Sequence, residues 1–285
     1  MQDLTGKVAV VTGAGSGIGR ALAERFAAEG MKLVVADVEA EALARTEATL
    51  SSRGAEVLSV QLDVLQPEQI EALAERTYAT FGAAHVVCNN AGVVAAGGKP
   101  SWEETPEDWE WVLGVNLWGV IHGVRAFVPR MLDGGDDGHI VNTASAAGLI
   151  TSGFKTSYDV SKFGVLALTE SLYREMEAIG SRIGVSVLCP GPVSTKIMEA
   201  GRNRPGRLEN DAAAEISGHR PEGTRYIERL TALVVGGVPP AEMAEAVLQA
   251  IREKRFYILP HTEYDAMLRA RFESIMERGN PPTRA

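Results

Sequence analysis

Two ionisable side chains stand four residues apart near the middle of the chain. Tyr158 and Lys162 follow Ser145 by thirteen and seventeen residues, in a segment with helical periodicity. A spacing of four places both side chains on one helix face, where an ammonium group can favour an ionised phenol. A free phenol titrates near ~10, so a cationic neighbour would let Tyr158 act as a base near neutral pH. The pattern therefore predicts proton transfer by Tyr158, assisted by Lys162.

A glycine-rich turn, TGAGSGIG, occupies residues 12–19. It lies between a short apolar run and an amphipathic segment, the strand–turn–helix context in which a helix N-terminus binds a pyrophosphate. Asp37 ends the second apolar run, where a carboxylate can accept hydrogen bonds from ribose hydroxyls and repel a 2′-phosphate. We therefore expect a dinucleotide cofactor, NAD rather than NADP. The alternative for Asp37 is a helix N-cap, and both roles can coexist.

Length and composition restrict the class of protein. A chain of 285 residues with 45% hydrophobic content can bury the core of one α/β domain. The net charge of -9 argues against nucleic acid and anionic membranes as partners, because both repel an acidic protein. We find no signal segment and no apolar run of about 18 residues, so we expect a cytoplasmic protein without a membrane span.

The cysteines and histidines predict no disulfide and no metal site. Cys88 and Cys189 lie in predicted strands, which is typical of inert core thiols in a reducing compartment. The histidines show no ligand spacing, so we expect no catalytic metal. They are His85, His122, His139, His219 and His261.

Seven short apolar runs alternate with longer amphipathic segments. We predict strands at residues 7–13, 33–37, 56–64, 85–92, 139–145, 184–191 and 256–260. Repeated strand–helix units imply a parallel sheet covered by helices on both faces, the doubly wound α/β architecture. Residues 198–237 lack strong periodicity, and we predict a substrate lid at about 194–237. Apolar residues at helical spacing predict a C-terminal helix within about 261–279.

Several motifs occur together in the order that one known family shows. Besides the turn at 12–19, these are Asn89-Asn90-Ala91-Gly92, Asn116, Ser145, Tyr158, Lys162 and Pro190-Gly191. Through these motifs, residues 5–195 resemble the short-chain dehydrogenase/reductase family. The resemblance implies a seven-stranded Rossmann-like sheet in the order 3-2-1-4-5-6-7, with the cofactor at the carboxyl ends of the strands. It also implies an NAD-dependent oxidoreductase that interconverts a secondary alcohol and a ketone by hydride transfer.

The resemblance also implies roles for individual residues. Tyr158 would be the base, Ser145 would bind the substrate oxygen, and Lys162 would stabilise the phenolate and hold the nicotinamide ribose. Asn116 would belong to a water relay leading to Lys162; a purely local helix contact is its alternative. The implied cofactor-binding residues are Gly13, Ser16, Gly17, Ile18, Gly19, Asp37, Asp63, Val64, Asn90, Gly92, Tyr158, Lys162, Pro190, Gly191, Val193 and Thr195. The Asn90 segment would serve as a strand-ending turn in any case.

One residue departs from the family pattern. Asp159 directly follows Tyr158, where the family commonly has a small or neutral residue. We expect helical geometry to point Asp159 away from Tyr158, because adjacent residues lie on different faces. A direct contact would raise the pKa of the tyrosine and weaken the base.

Apolar residues near the motifs predict a substrate with a hydrophobic body, although ordinary core residues have the same composition. They are Val93, Val94, Ala147, Leu149, Phe154 and Met198. Arg202, Arg204 and Arg207 could bind a carboxylate or phosphate, and a solvated charge run is the favoured interpretation. Residues 199–205 resemble a segment of short-chain dehydrogenases that oxidise bulky aryl secondary alcohols from lignin breakdown.

The segment from Pro106 to about Met131 is apolar around most of its circumference and predicts a helix buried on all sides. It resembles the family's main subunit interface, so we predict a homodimer or homotetramer. Two other functions stay open. One is a catalytically idle NAD-binding sensor or scaffold, since fold does not fix function. The other is an oxoacyl-type reductase, which Asp37 disfavours because those enzymes usually use NADPH.

Overall fold

A single seven-stranded sheet organises the chain. The computed structural model describes residues 1–95, 97–211 and 220–282. All strands are parallel, in the order β3-β2-β1-β4-β5-β6-β7. The strands are β1 Val8–Thr12, β2 Lys32–Asp37, β3 Val57–Gln61, β4 Val86–Asn89, β5 Gly138–Thr143, β6 Ile183–Leu188 and β7 Tyr257–Ile258. The predicted doubly wound α/β fold and its strand order are confirmed.

Helices cover both faces of the sheet. They are α1 Gly17–Ala28, α2 Ala40–Ser52, α3 Pro67–Phe81, α4 Pro106–Leu113, α5 Gly119–Gly134, α6 Thr156–Ala178, α7 Pro221–Val235, α8 Pro240–Glu253 and α9 Asp265–Met276. One apolar core contains residues of α1 and α8, and the other contains residues of α3, α4, α5 and α6. Every residue of β1 is buried, which explains why its sequence is continuously apolar rather than alternating.

The strands are shorter than their apolar runs predict, mostly at the carboxyl ends. We expected the third, fourth and sixth strands to reach residues 64, 92 and 191, whereas they end at Gln61, Asn89 and Leu188. The residues that follow leave the sheet and form loops at its carboxyl edge. In a doubly wound sheet this edge is where ligands bind.

The long segment Pro106–Gly134 contains a π-helical turn at Gly114–Trp118 between α4 and α5. Our prediction that it is buried on all sides is wrong, because the Trp118 side chain is 53% exposed. By length and composition this segment could cross a membrane, contrary to our reading of the sequence. More than half of its most apolar stretch is buried inside the fold, as in the core helix of a globular domain.

The predicted lid range contains more helix than its sequence suggested. Two 3₁₀ segments, Ile197–Asn203 and Gly206–Leu208, precede α7, which is an amphipathic helix of 15 residues. The prediction that this range lacks periodicity is therefore wrong for α7. Residues 212–219 of the range, with His219, lie outside the described residues. The predicted C-terminal helix is α9, none of whose residues is buried.

Glycines allow close backbone contacts at both ends of α7. A Cβ atom on Gly223 would lie 1.9 Å from the carbonyl oxygen of Gly98. A Cβ atom on Gly237 would lie 2.6 Å from the carbonyl oxygen of Pro192. Backbone atoms cannot move aside as a flexible side chain can, so both positions require glycine. These contacts fix α7 above the carboxyl edge of the sheet.

Candidate active site

A cleft at the carboxyl edge of the sheet begins at the glycine-rich turn. Gly13 and Gly17 have φ angles of 68° and 52°, which favour glycine. A Cβ atom on Gly13 would lie 2.9 Å from Cα of Ala91, so the turn also needs glycine to approach the loop after β4. Helix α1 then begins at Gly17 without a side-chain cap from Ser16. Its first N–H groups are therefore available to an anion.

Asp37 lies where β2 ends, and its carboxylate is held by the backbone. Oδ2 accepts a hydrogen bond from the N–H of Gly15 at 2.7 Å, and Oδ1 accepts one from the N–H of Glu39 at 2.9 Å. Burial raises the pKa of Asp37, and these two hydrogen bonds oppose the shift. Asp37 lines the cleft, and its ribose role stays a prediction. The predicted N-cap role is wrong, because the N-cap of α2 is Glu39, and Asp37 instead orders the chain just before it through the hydrogen bond from the Glu39 N–H.

A second carboxylate closes the same end of the cleft, and the sequence analysis did not identify it. Glu39 Oε1 accepts hydrogen bonds from Arg202 at 2.7 Å and from Asn203 at 2.9 Å. Burial opposes ionisation of Glu39, but these hydrogen bonds prevail and hold its pKa below the usual value. Glu39, Arg202 and Asn203 all line the cleft. Residues 163 positions apart carry no local sequence signal of such a contact.

Most of the predicted cofactor-binding residues surround this cleft. The lining includes Gly13, Ser16, Ile18, Asp37, Asp63, Val64, Asn90, Gly92, Tyr158, Lys162, Pro190 and Thr195. Gly17 and Gly19 are not part of this lining. Gly19 is buried, and a Cβ atom on it would be 2.1 Å from the carbonyl oxygen of Gly13. Gly191 and Val193 line a neighbouring cavity instead. Trp111 and Val115 also line the cleft and were not predicted.

Tyr158 lies where the cleft meets the neighbouring cavity, with Ser145 and Lys162 beside it. Lys162 Nζ is 5.6 Å from the centroid of the Tyr158 ring and donates a hydrogen bond to the Thr143 carbonyl at 3.0 Å. Burial raises the pKa of Tyr158 to about 12, and a hydrogen bond with Ser145 lowers it. The expected lowering of the tyrosine pKa by Lys162 is thus not present in this structure. Burial lowers the pKa of Lys162 itself to about 8.

Asn116 lies in the π-helical turn, which explains how a poor helix former fits within a long helix. Its Nδ2 donates hydrogen bonds to the Val93 carbonyl at 2.9 Å and to Ser161 Oγ at 3.0 Å. Its Oδ1 accepts one from the Val93 N–H at 2.8 Å. The side chain therefore fixes the loop after β4. A part in a water relay to Lys162 stays a prediction.

Asp159, the residue at which this chain departs from the family pattern, does not behave as we expected. We expected a charge on another face of the helix without effect on Tyr158, but Asp159 is buried and its charge raises the pKa of Tyr158. It forms an ion pair with Lys155 and accepts a hydrogen bond from the Ser152 N–H at 2.8 Å. Lys155 Nζ is 5.1 Å from the centroid of the Tyr158 ring. A buried ion pair therefore stands directly beside the candidate base.

A cavity of about 660 Å³ opens on the other side of Tyr158. Val94, Ala147 and Met198 line it as predicted, whereas Val93 lines the cleft and Leu149 lines a small separate pocket. Phe154 lies outside the cavity lining. The lining that we did not predict comes mainly from α7 and the segment after β7, and includes Tyr226, Arg229, Leu230, Leu233, Val234 and Tyr264.

The lid arginines are paired rather than solvated as a group. The Arg204 side chain is largely covered and forms an ion pair with Asp108 at 2.6 Å, and its guanidinium lies over Trp111 at 5.1 Å. The solvated interpretation is wrong for Arg204 and correct for Arg207, whose ion pair is exposed. Among the described residues, no group of three His, Cys, Asp or Glu side chains is arranged to hold a metal ion.

The comparison with known proteins gives consistent matches. A family profile described as "short chain dehydrogenase" matches residues 7–205. A 1-deoxy-11-beta-hydroxypentalenate dehydrogenase from Streptomyces exfoliatus is 36% identical over 97% of this chain and 90% of its own length. A C alpha-dehydrogenase from Sphingobium sp. strain SYK-6 is 34% identical over 99% of this chain and 89% of its own.

A solved structure matches the whole chain. It is a short chain dehydrogenase/reductase from Burkholderia phymatum in complex with NAD, which is 45% identical. The TM-score is 0.95, and the match covers 100% of this chain and 99% of that one.

Proposed function

Since the chain belongs to the short-chain dehydrogenase family, we propose that it is an NAD-dependent oxidoreductase that interconverts a secondary alcohol and a ketone. One observation carries the proposal. Tyr158, Ser145 and Lys162 meet where a cleft lined by a helix N-terminus and the Asp37 carboxylate joins an apolar cavity. A base at such a junction can act on a substrate that lies against a dinucleotide.

The cleft fits NAD at three places. The N-terminus of α1 suits the pyrophosphate, Asp37 suits the adenosine ribose, and Lys162 suits the nicotinamide ribose. Leu62, Val64 and Val115 supply an apolar lining near Asp37 for an adenine ring. The NAD complex of the Burkholderia phymatum protein supports the same cofactor here. NAD, when bound, accepts hydride at its nicotinamide ring, whose positive charge in the oxidised form also favours an ionised phenol.

The chain's own residues control the proton. Ser145 hydrogen-bonds Tyr158 and can bind the oxygen of the substrate, which fixes that oxygen next to the phenol. In the oxidative direction Tyr158 removes the hydroxyl proton, and in the reductive direction it returns a proton to the carbonyl oxygen. Lys162, whose ammonium group lies 5.6 Å from the centroid of the Tyr158 ring, would stabilise the phenolate once the cofactor is bound.

The apolar cavity supports a substrate with a hydrophobic body, including the aryl alcohols suggested by residues 199–205. The Streptomyces exfoliatus and Sphingobium relatives are named as dehydrogenases, in keeping with oxidation of a hydroxyl group. A catalytically idle sensor is disfavoured because the complete set of candidate catalytic residues is present. An NADPH-dependent oxoacyl reductase is disfavoured by Asp37.

We also propose a homo-oligomer and a cytoplasmic location. Trp118 on the α4–α5 side and Val160 on α6 are 53% and 45% exposed, which leaves an apolar surface next to the helices that the family uses for subunit contact. The buried free thiols of Cys88 and Cys189 suit a reducing compartment. We also propose that residues 194–237 form a substrate lid and that the chain is a single domain.

The test is turnover of NAD and NADP with aliphatic, aryl and steroid-like secondary alcohols, comparing wild type with Tyr158→Phe. We expect the variant to lose about 10²–10⁴-fold in kcat while it keeps NADH binding, because only proton transfer is removed. Tyr173→Phe, on an exposed part of the same helix, is the matched control and should keep full activity. Tight NADH binding by wild type without turnover of any alcohol or ketone would favour the sensor instead.

A further inference from the structure

The cavity beside Tyr158 has an uneven distribution of charge. Its wall is mostly apolar, with side chains such as Ile150, Met198, Leu230 and Leu233. Two cations, Lys155 and Arg229, are part of the lining, and no carboxylate is among the described residues that form it. An apolar cavity with cations and no anion suits a ligand that is largely hydrophobic and carries negative charge.

The two cations differ in what they already bind. Lys155 is buried and forms an ion pair with Asp159, so its charge is compensated inside the protein. It also lies beside the Tyr158 ring, at the end of the cavity where the hydroxyl group must be bound. A substrate anion at Lys155 would therefore compete with Asp159 and with the reacting group. Lys155 is therefore the weaker of the two candidates for binding a substrate anion.

Arg229 has the opposite character. It lies on α7 on the face that also presents Tyr226, Leu230 and Leu233 to the cavity, and it is exposed to solvent. Within the described part of the chain, the structure gives its guanidinium no ion pair and no hydrogen bond. Arg225, one turn earlier on α7, pairs with Glu222 at 3.4 Å and does not line the cavity. Among the described residues, Arg229 is therefore a cation without an ion-pair partner at the solvent side of an apolar cavity.

The type of anion follows from the same arrangement. A guanidinium group matches a carboxylate with two parallel hydrogen bonds. A dianionic phosphate is a poorer match, because one exposed cation cannot compensate two charges in a protein of net charge -9. We propose, on the basis of the function proposed above, that the substrate is an amphipathic hydroxy acid. Its alcohol binds at Ser145 and Tyr158, its apolar body fills the cavity, and its carboxylate binds Arg229.

The experiment compares matched substrates. Secondary hydroxy fatty acids with the hydroxyl group next to the terminal methyl, of eight, ten and twelve carbons, are paired with the neutral secondary alcohols of equal length. We expect wild type to show a KM about tenfold lower for the acid at the best-fitting length, from one charge-assisted hydrogen-bonded contact. This advantage should weaken as ionic strength rises, because the contact is exposed.

Arg229→Gln should raise the KM for the hydroxy acid by about tenfold, so that the ratio of kcat/KM for the acid to kcat/KM for the neutral alcohol falls by about the same factor. Arg225→Gln is the matched control and should change neither substrate. Binding of decanoate, measured by calorimetry, should weaken in Arg229→Gln and persist in Arg225→Gln, which keeps the readout independent of catalysis.

The outcomes separate the two proposals. Turnover of neutral alcohols without any advantage for the acids, or an equal loss for both substrates in Arg229→Gln, overturns the hydroxy-acid inference and leaves the proposed dehydrogenase intact. Failure to turn over any alcohol overturns the dehydrogenase and the substrate assignment together.

Discussion

Replacing Asp37 tests the account of cofactor choice most directly. The carboxylate accepts hydrogen bonds from the N–H groups of Gly15 and Glu39, which hold it at the end of β2 facing the cleft. A 2′-phosphate on a bound adenosine ribose would lie about 4 Å away, where two unit charges repel by about 4 kcal/mol at an effective dielectric constant of 20. Solvent and salt screening in an open cleft reduce this to about 2.8 kcal/mol.

That energy corresponds to about a hundredfold in kcat/KM. We therefore expect Asp37→Ser to raise kcat/KM for NADP by about a hundredfold. The value for NAD should fall by about tenfold, because the ribose loses hydrogen bonds to a charged acceptor. Glu39→Gln added to Asp37→Ser should increase NADP use further, since Arg202 would lose its carboxylate partner and become free to bind phosphate.

The assay is initial-rate kinetics with NAD and NADP at fixed ionic strength, with thermal unfolding as a check that the turn remains folded. Asp63→Ser is the matched control, because Asp63 also lines the cleft but is held by the N–H of Leu65 in the next loop. It should leave the ratio of NAD to NADP use unchanged. An unchanged ratio in Asp37→Ser, or a wild type that prefers NADP, would refute the reasoning.

Three other predictions follow from the structure. Asp159→Asn should move the acidic limb of the kcat/KM profile for alcohol oxidation down by roughly one pH unit, because it removes a negative charge that raises the pKa of Tyr158; an upward shift would contradict this. Gly223→Ala should displace α7 and raise the KM for bulky alcohols without changing NADH affinity, while Gly201→Ala, with open space around it, should not. Trp118→Glu should yield monomers in light scattering if the exposed α4–α5 surface joins subunits.

The fold and the cofactor side of the site were predictable because their signals are local. Each short apolar run predicts a strand, and parallel strands place the residues that follow them at one edge of the sheet. Asp37 ends β2, and Asn90 and Ser145 follow β4 and β5, so their sequence positions alone bring them together. Tyr158 and Lys162 are four residues apart on one helix and need no long-range contact to become neighbours.

The errors arise where distant contacts or irregular helix geometry decide the outcome. The π-helical turn at Gly114–Trp118 adds a residue, which rotates the side chains of α5 by about 100° relative to α4. The apolar stripes of α4 and α5 therefore point in different directions. A periodicity analysis that treats the segment as one helix combines them and predicts apolar residues around most of its circumference. The pairs Glu39–Arg202 and Asp108–Arg204 join residues about a hundred or more positions apart, and no single sequence shows them.

The position in the chain of the residues that line the cavity beside Tyr158 indicates how substrate selectivity could be changed. The residues that match the family profile end at 205, and they include every candidate catalytic residue. Four residues that help to enclose the cavity beside Tyr158 come later in the chain: Tyr226, Arg229, Leu233 and Tyr264. The candidate catalytic residues thus lie in one segment, whereas the cavity wall is shared between that segment and the one after it. Exchanging the C-terminal segment between relatives, with the glycine contacts of α7 preserved, would produce chimeras that keep the reaction and acquire a new substrate.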